Sequence, residues 1–104
     1  MNYYDIDGNP MTFEQWSSTF KDMEYRRIGL DRLDVWTIST VWLGLDHNFG
    51  DEGPPLIFES MVFEKGESSA APDDTVRYST KEEAIAGHQR LVEIYRAVVQ
   101  FHEK

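Results

Sequence analysis

The chain of 104 residues carries nineteen Asp+Glu against ten Lys+Arg, a formal net charge of -9 at pH 7, and is long enough for one compact domain. An acidic surface of this size repels phosphate, which argues against direct nucleic-acid binding and attachment to an anionic membrane and points to a basic protein partner. Cysteine is absent, which excludes disulfides, thiolate catalysis and cysteine-ligated zinc.

Hydrophobic residues make up 40% of the chain and aromatics 13%, enough to build a folded core. No apolar run approaches the ~20 residues of a membrane span. The opening Met1-Asn2-Tyr3-Tyr4-Asp5 lacks the basic and apolar regions of a secretory signal. A cytoplasmic protein is expected.

The first readable feature is the turn-forming cluster Asp7-Gly8-Asn9-Pro10, preceded by a strand or extended arm. Thr12 then opens a helix, with Gln15 completing a capping box and Phe13, Trp16 and Phe20 forming its apolar stripe. This helix is predicted to end between Lys21 and Met23. A strand over Tyr25–Leu30 follows, and Asp31-Arg32-Leu33-Asp34 reads as its connection to the next.

Val35–Leu45 and Leu56–Phe63 are rich in β-branched and aromatic residues, as strands are. In the first, Trp36, Ile38 and Trp42 share one face while Val41, Leu43 and Leu45 share the other. In the second, Leu56, Phe58 and Val62 alternate with Ile57, Met61 and Phe63. Strands apolar on both sides belong in a sheet covered twice. The expectation is one helix per face, or a subunit contact over the second face.

Residues 65–75 are small, polar and charged, and read as a flexible loop. A short strand at Val76-Arg77-Tyr78 leads into a long helix, started by a second capping box at Thr80 and Glu83. Ala84, His88, Leu91, Tyr95, Val98 and His102 form its apolar stripe. The predicted fold is a single α+β domain over residues 1–104, a small antiparallel sheet of a three-stranded meander plus a short strand, packed with two helices.

The chemistry-bearing residues concentrate in the connection from Asp46 to Pro55. His47 stands there with Asp46, Asp51 and Glu52 at the ends of two apolar strands. This is the pattern of a metal-binding loop, or of a histidine general base tuned by a carboxylate. The structural alternative is a rigid turn whose carboxylates bond local amides. Glu59, inside the second strand, must reach water or pair with a cation such as Arg77. Trp36 and Trp42 read as core, or as an apolar platform for a partner if no helix covers their face.

Two acidic stretches fail as calcium loops. One has Pro10 where the turn requires glycine and Trp16 where the bidentate glutamate belongs; the other places Ile57 at that last position. There is no nucleophile elbow and no phosphate-binding glycine loop. His88 on its apolar stripe reads as a hydrogen-bonded packing residue. No cofactor and no metal site is assigned.

The run Ser39-Thr40-Val41-Trp42-Leu43-Gly44-Leu45-Asp46-His47-Asn48-Phe49-Gly50 and the segment Gly53–Phe63 resemble a family of small uncharacterised phage and prophage proteins. Tyr4–Pro10 with Trp16, and Arg77–Thr80 with Glu83, Ala84, Gly87 and His88, resemble its flanking segments. The resemblance implies a phage-related origin and a shared fold, and names no catalytic residue. The expected function is a small acidic accessory protein that binds another protein, with inhibition of a host factor as one version. The competing class is a metal-dependent or acid/base enzyme centred on the Asp46–Glu52 loop; self-association into a homo-oligomer is the third.

Overall fold

A computed structural model describes residues 2–46, 52–65 and 75–102. Two short strands, β1 (Tyr3–Tyr4) and β2 (Pro10–Met11), form a small hairpin. Helices α1 (Phe13–Phe20) and α2 (Met23–Arg26) lead into β3 (Arg27–Leu33), β4 (Trp36–Trp42), β5 (Phe58–Glu64) and β6 (Thr75–Tyr78), and α3 (Lys81–His102) closes the described chain. The last four strands make one antiparallel sheet in the order β3-β4-β5-β6. The α+β meander with its added short strand is the architecture expected from the sequence.

Both capping boxes form. The Thr12 hydroxyl accepts from the Gln15 amide at 3.1 Å while the Gln15 side chain accepts from the Thr12 amide at 2.9 Å. Thr80 and Glu83 exchange the same pair of bonds at the start of α3. Each box satisfies two amide donors that the first helical turn leaves without a partner.

Several boundaries differ from the sequence expectation. Tyr25 lies in the single turn of α2, because the Asp22 carboxylate accepts from the Glu24 and Tyr25 amides and caps it. The strand therefore starts at Arg27 and runs through Asp31 and Arg32 to Leu33, which pairs with Trp36. The turn is only Asp34-Val35, with Asp34 at φ 57°, a left-handed conformation that Asp tolerates better than most residues. Asp31 is thus a strand residue. The next strand stops at Trp42, ahead of the positive-φ Gly44, whose missing side chain leaves room for the Trp42 and Trp16 rings. Alternation groups Ile57 with Met61 and Phe63, away from Phe58, but Ile57 precedes β5 and is buried in the core beside Phe58. Its carbonyl accepts from both Leu43 and Gly44 at 2.7 and 3.3 Å, so regular pairing is already broken there. The expected flexible loop falls largely on residues 66–74, outside the described residues.

The interior is stacked in three tiers set by the β4–β5 register. Ile38 pairs with Val62, Thr40 with Ser60, and Trp42 with Phe58. The outer tiers are apolar: Ile38 and Val62 pack with Val92 and Tyr95, while Trp42 and Phe58 pack with Tyr78 and Ala84. Their removal from water supplies the main driving force, about 25 cal/mol for each Å² of apolar surface buried. The tier between them, Thr40, Ser60 and His88, is polar and equally buried.

The helices do not divide between the two faces. Helix α3 covers the buried row of the sheet, and the N-terminal elements join it on that same side. Trp16 donates from its ring nitrogen to the Leu43 carbonyl at 2.9 Å, and the Phe20 and Tyr25 rings lie 6.4 and 5.0 Å from that of Trp42. The expected arrangement of one helix per face is therefore not adopted. Among the described residues, no element lies over the second face.

Candidate functional site

The sequence points to the Asp46–Glu52 loop for chemistry. Asp46 accepts a hydrogen bond from the Leu56 amide at 3.0 Å, closing the neck of the loop. Glu52 is exposed. His47 and Asp51 lie outside the described residues. Glu59 pairs with Arg77 at 3.1 Å across the β5–β6 register. Among the described residues, no group of three or more His, Asp or Glu side chains is arranged to hold a metal ion.

Neither tryptophan forms a platform. Trp42 is fully buried and donates from its ring nitrogen to the Tyr4 carbonyl at 3.0 Å. Trp36 is half-buried, with its ring 4.9 Å from that of Tyr95 on α3. The platform required an uncovered face, and theirs is the covered one.

The constellation that sequence reasoning did not assemble is the polar tier. Asp31 Oδ2 lies 2.7 Å from His88 Nε2, His88 Nδ1 lies 2.7 Å from Thr40 Oγ1, and Thr40 Oγ1 lies 2.5 Å from Ser60 Oγ. The Asp31 carboxylate accepts from Nε2–H, while the bonds from Nδ1 to Thr40 and from Thr40 to Ser60 can run in either direction, since each hydroxyl both donates and accepts. Every buried polar side-chain atom among the described residues has a partner.

Acid, imidazole and hydroxyl in series are the components of a nucleophilic relay. Access decides otherwise. Thr40 and Ser60 are 0% exposed, so no substrate carbonyl can approach either hydroxyl, and only the Asp31 end reaches water, its side chain 47% exposed. The tier works as a polar register key. Its bonds are satisfied only when β3, β4, β5 and α3 stand in this alignment, and a misaligned core would leave them open.

Several hollows mark the described surface. One of about 220 Å³ lies beside Asp31, His88, Glu93 and Arg96. Another, about 290 Å³, is bounded by Tyr4 and Ile6, by Pro54 and Pro55, and by the turn before α3. The helix start beside it is already capped by Thr80 and Glu83.

The second face of the sheet has a distinct character. The register sets Arg27, Val41, Glu59 and Arg77 in one row across it; Leu30, Ser39, Met61 and Thr75 follow, then Arg32, Thr37 and Phe63. Leu30 is 40% exposed, while Val41, Met61 and Phe63 are partly buried and belong to neither interior cluster. No family model, curated protein or solved structure matches the chain. Among the described residues, no helix is long and apolar enough to cross a membrane.

Proposed function

We propose that this is a small accessory protein of phage or prophage origin that acts in the host cytoplasm by binding another protein, and that it does so through the second face of its sheet. The observation that carries this reading is the apolar strip Leu30, Val41, Met61 and Phe63, over which no described element of the chain is placed. Apolar side chains grouped on one surface mark interaction sites more often than scattered ones do. The phage origin rests on the resemblance of the segments Ser39–Gly50 and Gly53–Phe63. A binding role also agrees with the burial of the acid–imidazole–hydroxyl series among the described residues, whose two hydroxyls are both fully buried.

The test compares three immobilised proteins in capture from a bacterial host lysate. The wild type and an Ile85→Glu variant, changed on the exposed side of α3 where Ile85 is 40% exposed, should retain the same protein. Phe63→Glu should lose it while keeping the wild-type circular dichroism. A captured set that ignores Phe63→Glu would sink this reading.

A further inference from the structure

On the second face, β4 contributes only the small and medium side chains Thr37, Ser39 and Val41. The strands beside it carry longer ones: Arg27, Leu30 and Arg32 on β3, and Glu59, Met61 and Phe63 on β5. The result is a shallow trough along β4. Its walls stand two strand spacings apart, roughly 10 Å, which is close to the diameter of an α-helix with its side chains. Seven-residue strands give it a length of about 23 Å.

The charge of the trough opposes that of the molecule. Arg27, Arg32 and Arg77 lie on this face with Glu59, and Glu59 is engaged by Arg77. Arg27 and Arg32 are exposed and make no ion pair among the described residues. A chain of net charge -9 therefore presents a cationic wall on β3 and an apolar wall of Met61 and Phe63 on β5. The net charge suggested a basic partner; the local charge of this face selects the opposite sign.

We propose that the trough receives an amphipathic helix of a partner protein, acidic along the flank that meets Arg27 and Arg32 and apolar along the flank that meets Met61 and Phe63. This rests on the reading of the second face as the binding surface. It names the chemistry of the occupant: carboxylates facing guanidinium groups, which Arg binds in bidentate geometry, beside an apolar contact that supplies burial. Docking there would convert a two-layer α/β packing into a helix–sheet–helix sandwich.

The probe is a synthetic helical peptide of about 16 residues, or ~24 Å of helix, with glutamate along one flank and leucine along the other. A second peptide carries lysine in place of each glutamate. Both are titrated into isotope-labelled full-length protein, with amide chemical shifts as the readout. The glutamate peptide should shift signals from the outward residues of β3, β4 and β5, and its affinity should fall as salt is added. Arg27→Glu with Arg32→Glu should weaken it by roughly tenfold or more and strengthen binding of the lysine peptide. Phe63→Glu should abolish binding of both, with circular dichroism confirming that each variant is folded.

If the lysine peptide binds the wild type as well as the glutamate peptide does, and on this face, the acidic partner is wrong while the binding surface stands. If neither peptide shifts outer-face signals at millimolar concentration, or if the shifts map to the α3 side, both readings fall. Outer-face signals that move with protein concentration in the absence of peptide would make a second copy of the chain the occupant and overturn the partner helix.

Discussion

Gly29 and His88 occupy complementary space. A methyl group built on Gly29 would stand 2.7 Å from the His88 imidazole, so the ring that ties Asp31 to Thr40 lies flat against the β3 backbone only because position 29 has no side chain. The β-bulge between Arg27 and Gly29 turns both Ile28 and Gly29 inward, giving Ile28 to the core and Gly29 to the histidine. Gly29→Ala is therefore expected to act by overpacking, with a loss of about 1–3 kcal/mol, read from urea unfolding. Unchanged stability would mean that the ring has another place to go.

The polar tier should respond as a unit. Thr40→Val alone takes a partner from both His88 Nδ1 and Ser60; His88→Leu alone leaves Thr40 with Ser60 only and leaves Asp31 to water. Each single change is expected to cost about 1–3 kcal/mol, the penalty of an unpaired buried polar group. The combination Thr40→Val, Ser60→Ala and His88→Leu removes all the buried polar atoms together. It should cost less than the sum of its parts, with a coupling of roughly 0.5–3 kcal/mol. Additive costs would show that the hydrogen bonds are independent.

What could be read in advance follows from the range of the interaction involved. The two capping boxes are contacts three residues apart, and the alternation of Trp36, Ile38 and Trp42 is a property of one strand. Both are local, and both are present. The polar tier joins residues 48 and 57 positions apart along the chain, and no periodicity brings Asp31 to His88. A glycine–histidine pair on a helical stripe, or an aspartate embedded in a run ending in Leu33, was the only available signal. The reading of Asp31 as a turn residue concealed it. The groups of Asp46–Glu52 are adjacent in sequence and therefore legible in composition, but the bond from the Leu56 amide to Asp46 is not. The charge of the second face was equally hidden, because the net charge of the chain averages over surfaces that only the register separates.

Tyr25 provides a pH dependence with a definite sign. Its hydroxyl lies 2.9 Å from the Ile6 amide, which donates to it. Burial raises its pKa above the ordinary tyrosine value; the Ile6 bond partly opposes this, and the charges of Asp5 and Asp7 add to the rise. A group whose folded pKa is raised contributes its full stability below the unfolded value, about 10. That contribution is lost as pH climbs through the folded pKa, because the unfolded chain releases its proton first. The melting temperature of the wild type should therefore fall relative to Tyr25→Phe as pH rises above about 10. Parallel curves for the two proteins would place the alkaline loss at other tyrosines.

The two-faced sheet can be tested with one residue type on one strand. Phe58 is fully buried, packed with Trp42 and Tyr78 in the lower apolar tier. Phe63, five positions on in β5, lies opposite Thr37 on the second face. Phe58→Ala removes a ring from a closed tier and should cost about 3–5 kcal/mol. Phe63→Ala loses only a cross-strand pairing, worth roughly 0.2–1 kcal/mol. Chemical denaturation of the two variants measures the contrast directly. Equal losses would mean that Phe63 is packed as tightly as Phe58 in the isolated chain, which would remove the free face on which the binding reading depends. If the contrast appears, Phe63 owes little of its place to folding stability, and the second face stays open as the proposed binding reading requires.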